Sequence, residues 1–205
     1  MRLLKELLPH LCVDLTSSVS DLRALFGGHA SSCWLEIGFG SGGHLVRTAA
    51  ENPNVGFIGC EPFVNGMAKA LAAIEAQGLT NIRLFEGDAA DLLAWLPEAS
   101  VGRVFLLFPD PWPKRRHRKR RFISDQRLAA LARVMQPGAE LRFATDIDDY
   151  AGWTLARILR SPQFLWAAEQ KASWMTPWAG WRETRYEAKA KRAGGRPIYL
   201  TFIRR

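Results

Sequence analysis

"LEIGFGSGGHL", residues 35 to 45, places Gly38, Gly40 and Gly43 in a G-x-G-x-x-G spacing. An apolar run, "CWLEIGF" (33–39), leads into it, and a helical pattern, "GGHLVRTAAEN" (42–52), leads out. A glycine turn between a strand and a helix lets backbone N–H groups approach a ligand closely at the positive end of the helix. The stretch therefore predicts the first βα unit of an α/β fold with a nucleotide-like ligand at its turn.

Working outward, the same alternation continues. "NVGFIGCE" (54–61), "NIRLFEGD" (81–88), "GRVFLLFPD" (102–110) and "AELRFATD" (139–146) read as buried strands. Helical patterns separate them at 63–79, 89–98 and 124–138, with stops at Gly78 and at Pro137-Gly138. Strands alternating with helices imply βαβ units and a parallel sheet covered on both faces. Beyond residue 160, "PQFLWAAEQ" (162–170) and "RPIYLTFIRR" (196–205) read as two closing strands around a polar, Trp-rich insertion. At 205 residues the chain suits a single domain, with the insertion at about 167–196.

Each of the first five strands ends in an acid: Glu36, Glu61, Asp88, Asp110 and Asp146. Open α/β sheets bind ligands at the carboxyl ends of their strands. Acids also favour turns and helix N-termini, but five in succession exceed what that preference explains. Nicotinamide and S-adenosylmethionine folds share the glycine turn, so the turn alone does not choose between them. Three features favour S-adenosylmethionine. The chain has no room for a substrate domain beside a full dinucleotide fold. Glu36 precedes the glycines, suited to an ammonium, and Glu61 is suited to ribose hydroxyls. Asp88 stands where a carboxylate can accept from an adenine amine.

The charge is +8, and the seven Lys and Arg of "KRRHRKRR" (114–121) account for all but one of it. So focused a positive charge fits a polyanion, nucleic acid first. No apolar stretch of membrane length and no signal-peptide pattern appear, which predicts a soluble, cytoplasmic protein. Cys12, Cys33 and Cys60 lack ligand spacing, and the histidines show none, so no metal is expected. Oligomeric state is not written in the sequence.

Together "EIGFGSGGHL", "FIGCEPF", "RVFLLFPDPWPKRRHRKRRF", "LRFATDIDDYAGW" and "WRETRYEAKA" resemble the bacterial tRNA (guanine-N7-)-methyltransferases over nearly the whole chain from Leu35. The resemblance implies a Rossmann-like class I methyltransferase: a mostly parallel seven-stranded sheet, helices on both faces and a C-terminal antiparallel strand pair. It implies S-adenosyl-L-methionine as cofactor, S-adenosyl-L-homocysteine as product, and guanine 46 of the tRNA variable loop as target. Carried over by residue, Glu36, Gly38, Gly40, Glu61, Asp88 and Asp110 would hold the cofactor. Lys114, Asp146, Thr184, Arg185, Tyr186 and Glu187 would hold the substrate. Arg116, His117, Arg118, Lys119, Arg120 and Arg121 would face RNA. Ser41 and Cys60 depart from the usual family residues without removing a named contact.

Guanine N7 carries a lone pair and no proton, so its methylation needs no general base. Asp110 then acts as an electrostatic group beside a purine becoming cationic. Glu187 and Asp146 are candidates for reading the guanine N1–H and N2–H₂ edge, which adenine lacks. Trp112 suits either a stack on the flipped base or core packing, while Trp174, Trp178 and Trp181 suit packing of the insertion. Two competing functions fit parts of the pattern: a DNA amino-methyltransferase, whose D-P-P-aromatic turn "DPWP" faintly resembles, and a catalytically silent RNA-binding protein.

Overall fold

The computed structural model describes residues 2–205. Its seven strands form one sheet in the order β3-β2-β1-β4-β5-β7-β6. They are β1 (Ser32–Ile37), β2 (Val55–Cys60), β3 (Ile82–Phe85), β4 (Val101–Leu107), β5 (Met135–Thr145), β6 (Phe164–Trp166) and β7 (Ile198–Arg204). The first five run parallel; β7 lies antiparallel to both β5 and β6. Helices α1 (Arg2–Glu6) and α2 (Leu8–Leu11) precede the sheet. Helices α3 (Gly43–Glu51), α4 (Val64–Gln77), α5 (Ala89–Trp95), α6 (Asp125–Val134) and α7 (Asp148–Ile158) connect its strands. The insertion carries α8 (Ala172–Met175) and α9 (Arg185–Arg192). Sheet order reverses between β1 and β4, and that switch opens a crevice at the strands' carboxyl ends.

The period-2 alternation of the strands feeds two packed layers. Leu35, Ile58, Val104, Leu106, Leu141 and Phe143 pack with Leu92, Leu128, Leu131, Tyr150 and Ile158 on one face. Phe57, Ile82 and Leu84 pack with Leu45, Val46, Met67, Leu71 and Ile74 on the other. Each such side chain contributes about 1.5–3 kcal/mol of burial, which fixes the sheet as a rigid frame. Beyond β4 no connecting helix covers the second face. Phe105, Leu107, Ala144 and Tyr199 are capped there by Trp178 and Trp181 of the insertion.

One boundary differs from the sequence reading. Pro137-Gly138 does not end α6. That helix stops at Val134, and β5 starts at Met135 with the Pro-Gly pair inside it. Gln136, Pro137 and Gly138 are solvent-exposed, and the register slips there, from Val101↔Met135 to Arg103↔Glu140. Extra residues on one strand form a bulge, where a proline without an N–H and a glycine at φ +80° are tolerated.

Candidate active site

The crevice at the switch is a cleft of about 510 Å³. Gly38, Gly40, Glu61, Phe63, Asp110 and Arg185 are among the residues that line it. Gly38 and Gly40 have φ of +71° and +58°, a region that favours glycine. A Cβ on Gly38 would meet nothing within 4 Å, so bare backbone faces the opening. Glu61, 4 % exposed, is tied to this loop: Oε2 accepts from Gly40 N at 2.8 Å and Oε1 from Phe63 N at 3.1 Å. Each carboxylate oxygen keeps a further lone pair for a ligand hydroxyl. Burial pushes the Glu61 carboxyl above its ordinary value, and the nearby Asp110 charge adds to this. Gly66, at the start of α4, lies so close that a Cβ would stand 2.3 Å from the Gly40 carbonyl oxygen. Bare glycine backbone beside an acceptor with free lone pairs suits a nucleoside-bearing ligand. The cleft volume is that of small-molecule sites.

A smaller adjoining cavity of about 100 Å³ is lined by Glu36, Gly38, His44, Thr184, Arg185 and Tyr186, among others. Glu36 is buried there, with Oε2 2.6 Å from His44 Nδ1. His44 is a site residue that sequence reasoning missed. Its signal is its place in the first turn of α3, directly after the glycines. Phe63 was missed too: a large apolar side chain 69 % exposed at the cleft, two residues past Glu61.

Asp110 lies on a loop with strained backbone on both sides, Phe108 at φ +50° and Trp112 at φ +42°. Such angles on bulky residues persist only where surrounding contacts over-determine them. Arg121 supplies those contacts. Its side chain is fully buried; Nε donates to the Pro111 carbonyl at 2.8 Å, and its terminal nitrogens reach the Asp149 carbonyl and carboxylate. The guanidinium also lies over Tyr150 and Trp153 at 4.9 and 5.1 Å. The expectation that Arg121 faces RNA is therefore corrected: it clamps the Asp110 loop to α7. Asp149 also holds Arg118 at 2.8 Å. Lys114, Arg116, Lys119 and Arg120 are exposed, and residues Arg115–Arg120 form a 3₁₀ turn. Arg116 Nε lies 3.3 Å from His117 Nε2, and Arg120 sits over Trp112 at 4.9 Å.

Thr184 caps α9, its Oγ1 accepting from Glu187 N at 3.1 Å. Arg185 and Tyr186 follow and line both cavities, with Tyr186 packed over Gly40. Glu187 faces the other way. It is 1 % exposed and accepts from Trp181 Nε1 (2.7 Å) and Tyr199 OH (2.5 Å), with Lys191 Nζ at 2.7 Å. The resemblance sets it against the substrate; in this structure Oε1 takes Tyr199 and Lys191 and Oε2 takes Trp181, so it docks α9 on β7 while Oε2 keeps one further lone pair. Burial works to raise its carboxyl, but the bonds from Lys191, Tyr199 and Trp181 outweigh that and leave it below the ordinary value. Asp88 caps α5 through Ala90 N at 2.7 Å and meets Arg127 at 3.3 Å, its side chain exposed and outside the cleft lining. Asp146, partly buried beyond β5, and the exposed Lys114 also lie outside that lining. No group of three or more His, Cys, Asp or Glu that could hold a metal occurs among the described residues. No helix there is long and apolar enough to cross a membrane.

A methyltransferase family model, Methyltransf_4, matches residues 30–200. A tRNA (guanine-N(7)-)-methyltransferase of Rhodopseudomonas palustris strain BisA53 is 56% identical over 203 residues, covering 98% of this chain and 81% of the relative. The chain belongs to the tRNA (guanine-N(7)-)-methyltransferase family. A member from Bradyrhizobium diazoefficiens is 53% identical, covering 98% of this chain and 86% of its own length. The family is enzymatic, and its cofactor, S-adenosyl-L-methionine, matches the ligand type the glycine loop suits. Solved structures agree on the fold. The 16S rRNA methyltransferase KamB aligns at TM-score 0.60 and 18% identity, over 91% of this chain and 96% of that one. The protein SMU.1697c from Streptococcus mutans, solved with S-adenosylhomocysteine, aligns at 0.55 and 9%, over 86% and 90%.

Proposed function

We propose that this enzyme methylates N7 of guanine 46 in the variable loop of tRNA. The observation that carries the reading is family membership at 56% identity over 98% of the chain. The cleft supports it. S-adenosylmethionine, when bound, supplies the methyl group from its sulfonium. Glu61 with Gly38 and Gly40 would hold its nucleoside, and Glu36 its amino-acid end. Asp110, exposed on the cleft wall, places negative charge where the purine becomes cationic, and no residue is needed to remove a proton. Arg185 and Tyr186 bring the insertion at about 167–196 to the same cleft, which suits a substrate-binding role for it. The exposed cations of 114–120 suit the RNA backbone.

The test is incubation with unmodified tRNA and labelled S-adenosylmethionine, followed by nucleoside analysis. The expected product is 7-methylguanosine, lost when guanine 46 is replaced by adenine. Label in any other nucleoside, or label that survives the replacement, defeats the proposal.

A further inference from the structure

Helix α9 carries a second run of cations that the sequence does not display as a run. Arg185, Lys189 and Arg192 stand at i, i+4 and i+7, one stripe of a helix, and Arg196 follows just past its end. All four are exposed. The opposite side of α9 is buried through Glu187 and Ala190, so the stripe faces solvent. Neighbouring charges have partners: Lys191 holds Glu183 and Glu187, and Arg182 holds Glu51. The four stripe residues make no ion pair among the described residues.

Helix stability does not explain the pattern. Cations complement the dipole only in the last turn, which covers Lys189 and Arg192. Arg185 sits in the first turn, where a positive charge is unfavourable, and Arg196 lies outside the helix. Unpaired like charges along one line also repel. The geometry points to a second phosphate-binding surface, along α9, that holds the same tRNA as the 114–120 run. The inference rests on the tRNA reading above. Arg185 and Asp110 line one cleft, so the first turn of α9 and the loop leading to the first run meet at the same opening. From Arg185 to Arg192 the stripe spans about 10 Å, the rise of about three stacked nucleotides.

The test compares unmodified-tRNA affinity across salt concentrations for wild type, for K189Q/R192Q/R196Q and for the charge-keeping K189R/R192K/R196K. Arg185 is left in place because it lines the cleft. Three lost phosphate contacts should lower the magnitude of the log affinity–log salt slope by about 2 to 2.7. The charge-keeping variant should retain the wild-type slope, and S-adenosylmethionine affinity by calorimetry should be unchanged in both. An unaltered slope in the glutamine variant overturns the inference and leaves the tRNA reading intact. So does an equal loss in the charge-keeping variant, since shape rather than charge would then be responsible. A wild-type protein whose tRNA affinity ignores salt removes the tRNA reading and this inference together.

Discussion

At the scale of single residues, the strongest claims concern charges that are buried. Arg121 spends its guanidinium on Pro111, Asp149 and two aromatic faces. Asp149→Ala would strand that cation. Because Asp149 is itself 46% exposed, the loss should fall below the usual range for a broken buried pair, at about 2 kcal/mol. Arg121→Met combined with Asp149→Leu should recover much of the unfolding midpoint, since an apolar pair suits the site. It should not give wild-type turnover, because replacing Arg121 removes the donor to the Pro111 carbonyl and leaves the Asp110 loop unheld. Turnover that returns together with the midpoint would reduce the clamp to a packing element. Glu187 gives a pH prediction. Its folded-state carboxyl lies below the ordinary 4.5, so its contribution to stability is complete above that value and is lost as pH falls through the depressed one. Glu187→Gln should therefore flatten the acid limb of a plot of unfolding midpoint against pH. An unchanged limb would mean that its three partners do not favour the ionised form.

Among the elements, the glycine loop and α4 approach each other closely, backbone to backbone. A Cβ at Gly66 would stand 2.3 Å from the Gly40 carbonyl oxygen and 3.2 Å from Glu61 Cγ. Backbone cannot yield as a side-chain tip can. Gly66→Ala should therefore displace the loop, with about 1–3 kcal/mol of overpacking. Because Gly40 N binds Glu61, the shift should also weaken S-adenosylmethionine by roughly tenfold or more, about 1.4 kcal/mol. Gly152, inside α7, provides the contrast: its Cβ would meet nothing within 4 Å. Gly152→Ala should leave cofactor affinity alone and stabilise the helix by about 0.5–1 kcal/mol. Calorimetry and thermal unfolding on both variants separate the cases, and equal cofactor affinity in the two would remove the close-approach argument.

Across the whole molecule, the distribution of charge is what the fold changes most. The run 114–121 accounts numerically for nearly all of the +8 excess, yet Asp149 neutralises part of it and Arg121 is inside the protein. Changing Arg116, Arg118, Lys119 and Arg120 to Ser should therefore reduce the tRNA salt slope by about 2 to 2.7, as for three free phosphate contacts rather than four. A reduction near four contacts' worth would show that Arg118 leaves Asp149 when RNA binds. The sheet itself was legible in the chain, because each of its first five strands is a short apolar run closed by an acid or a glycine, and period and punctuation are local properties. So was the glycine turn with Glu61, since a parallel βαβ unit brings the ends of β1 and β2 side by side. The directions of Arg121, Glu187 and Asp88 were not legible. Arg121 reads as one more cation in a run, and only the arrival of α7, 28 residues later, turns it inward. Glu187 reads as an acid free to meet the base, and only β7 and Trp181, with Lys191, bring the partners that hold it in the interior. Local sequence determined which groups stand at strand ends and which helices connect them. Long-range packing decided which of those charges meet a partner in the interior, because a buried charge takes its role from whatever the rest of the chain brings against it.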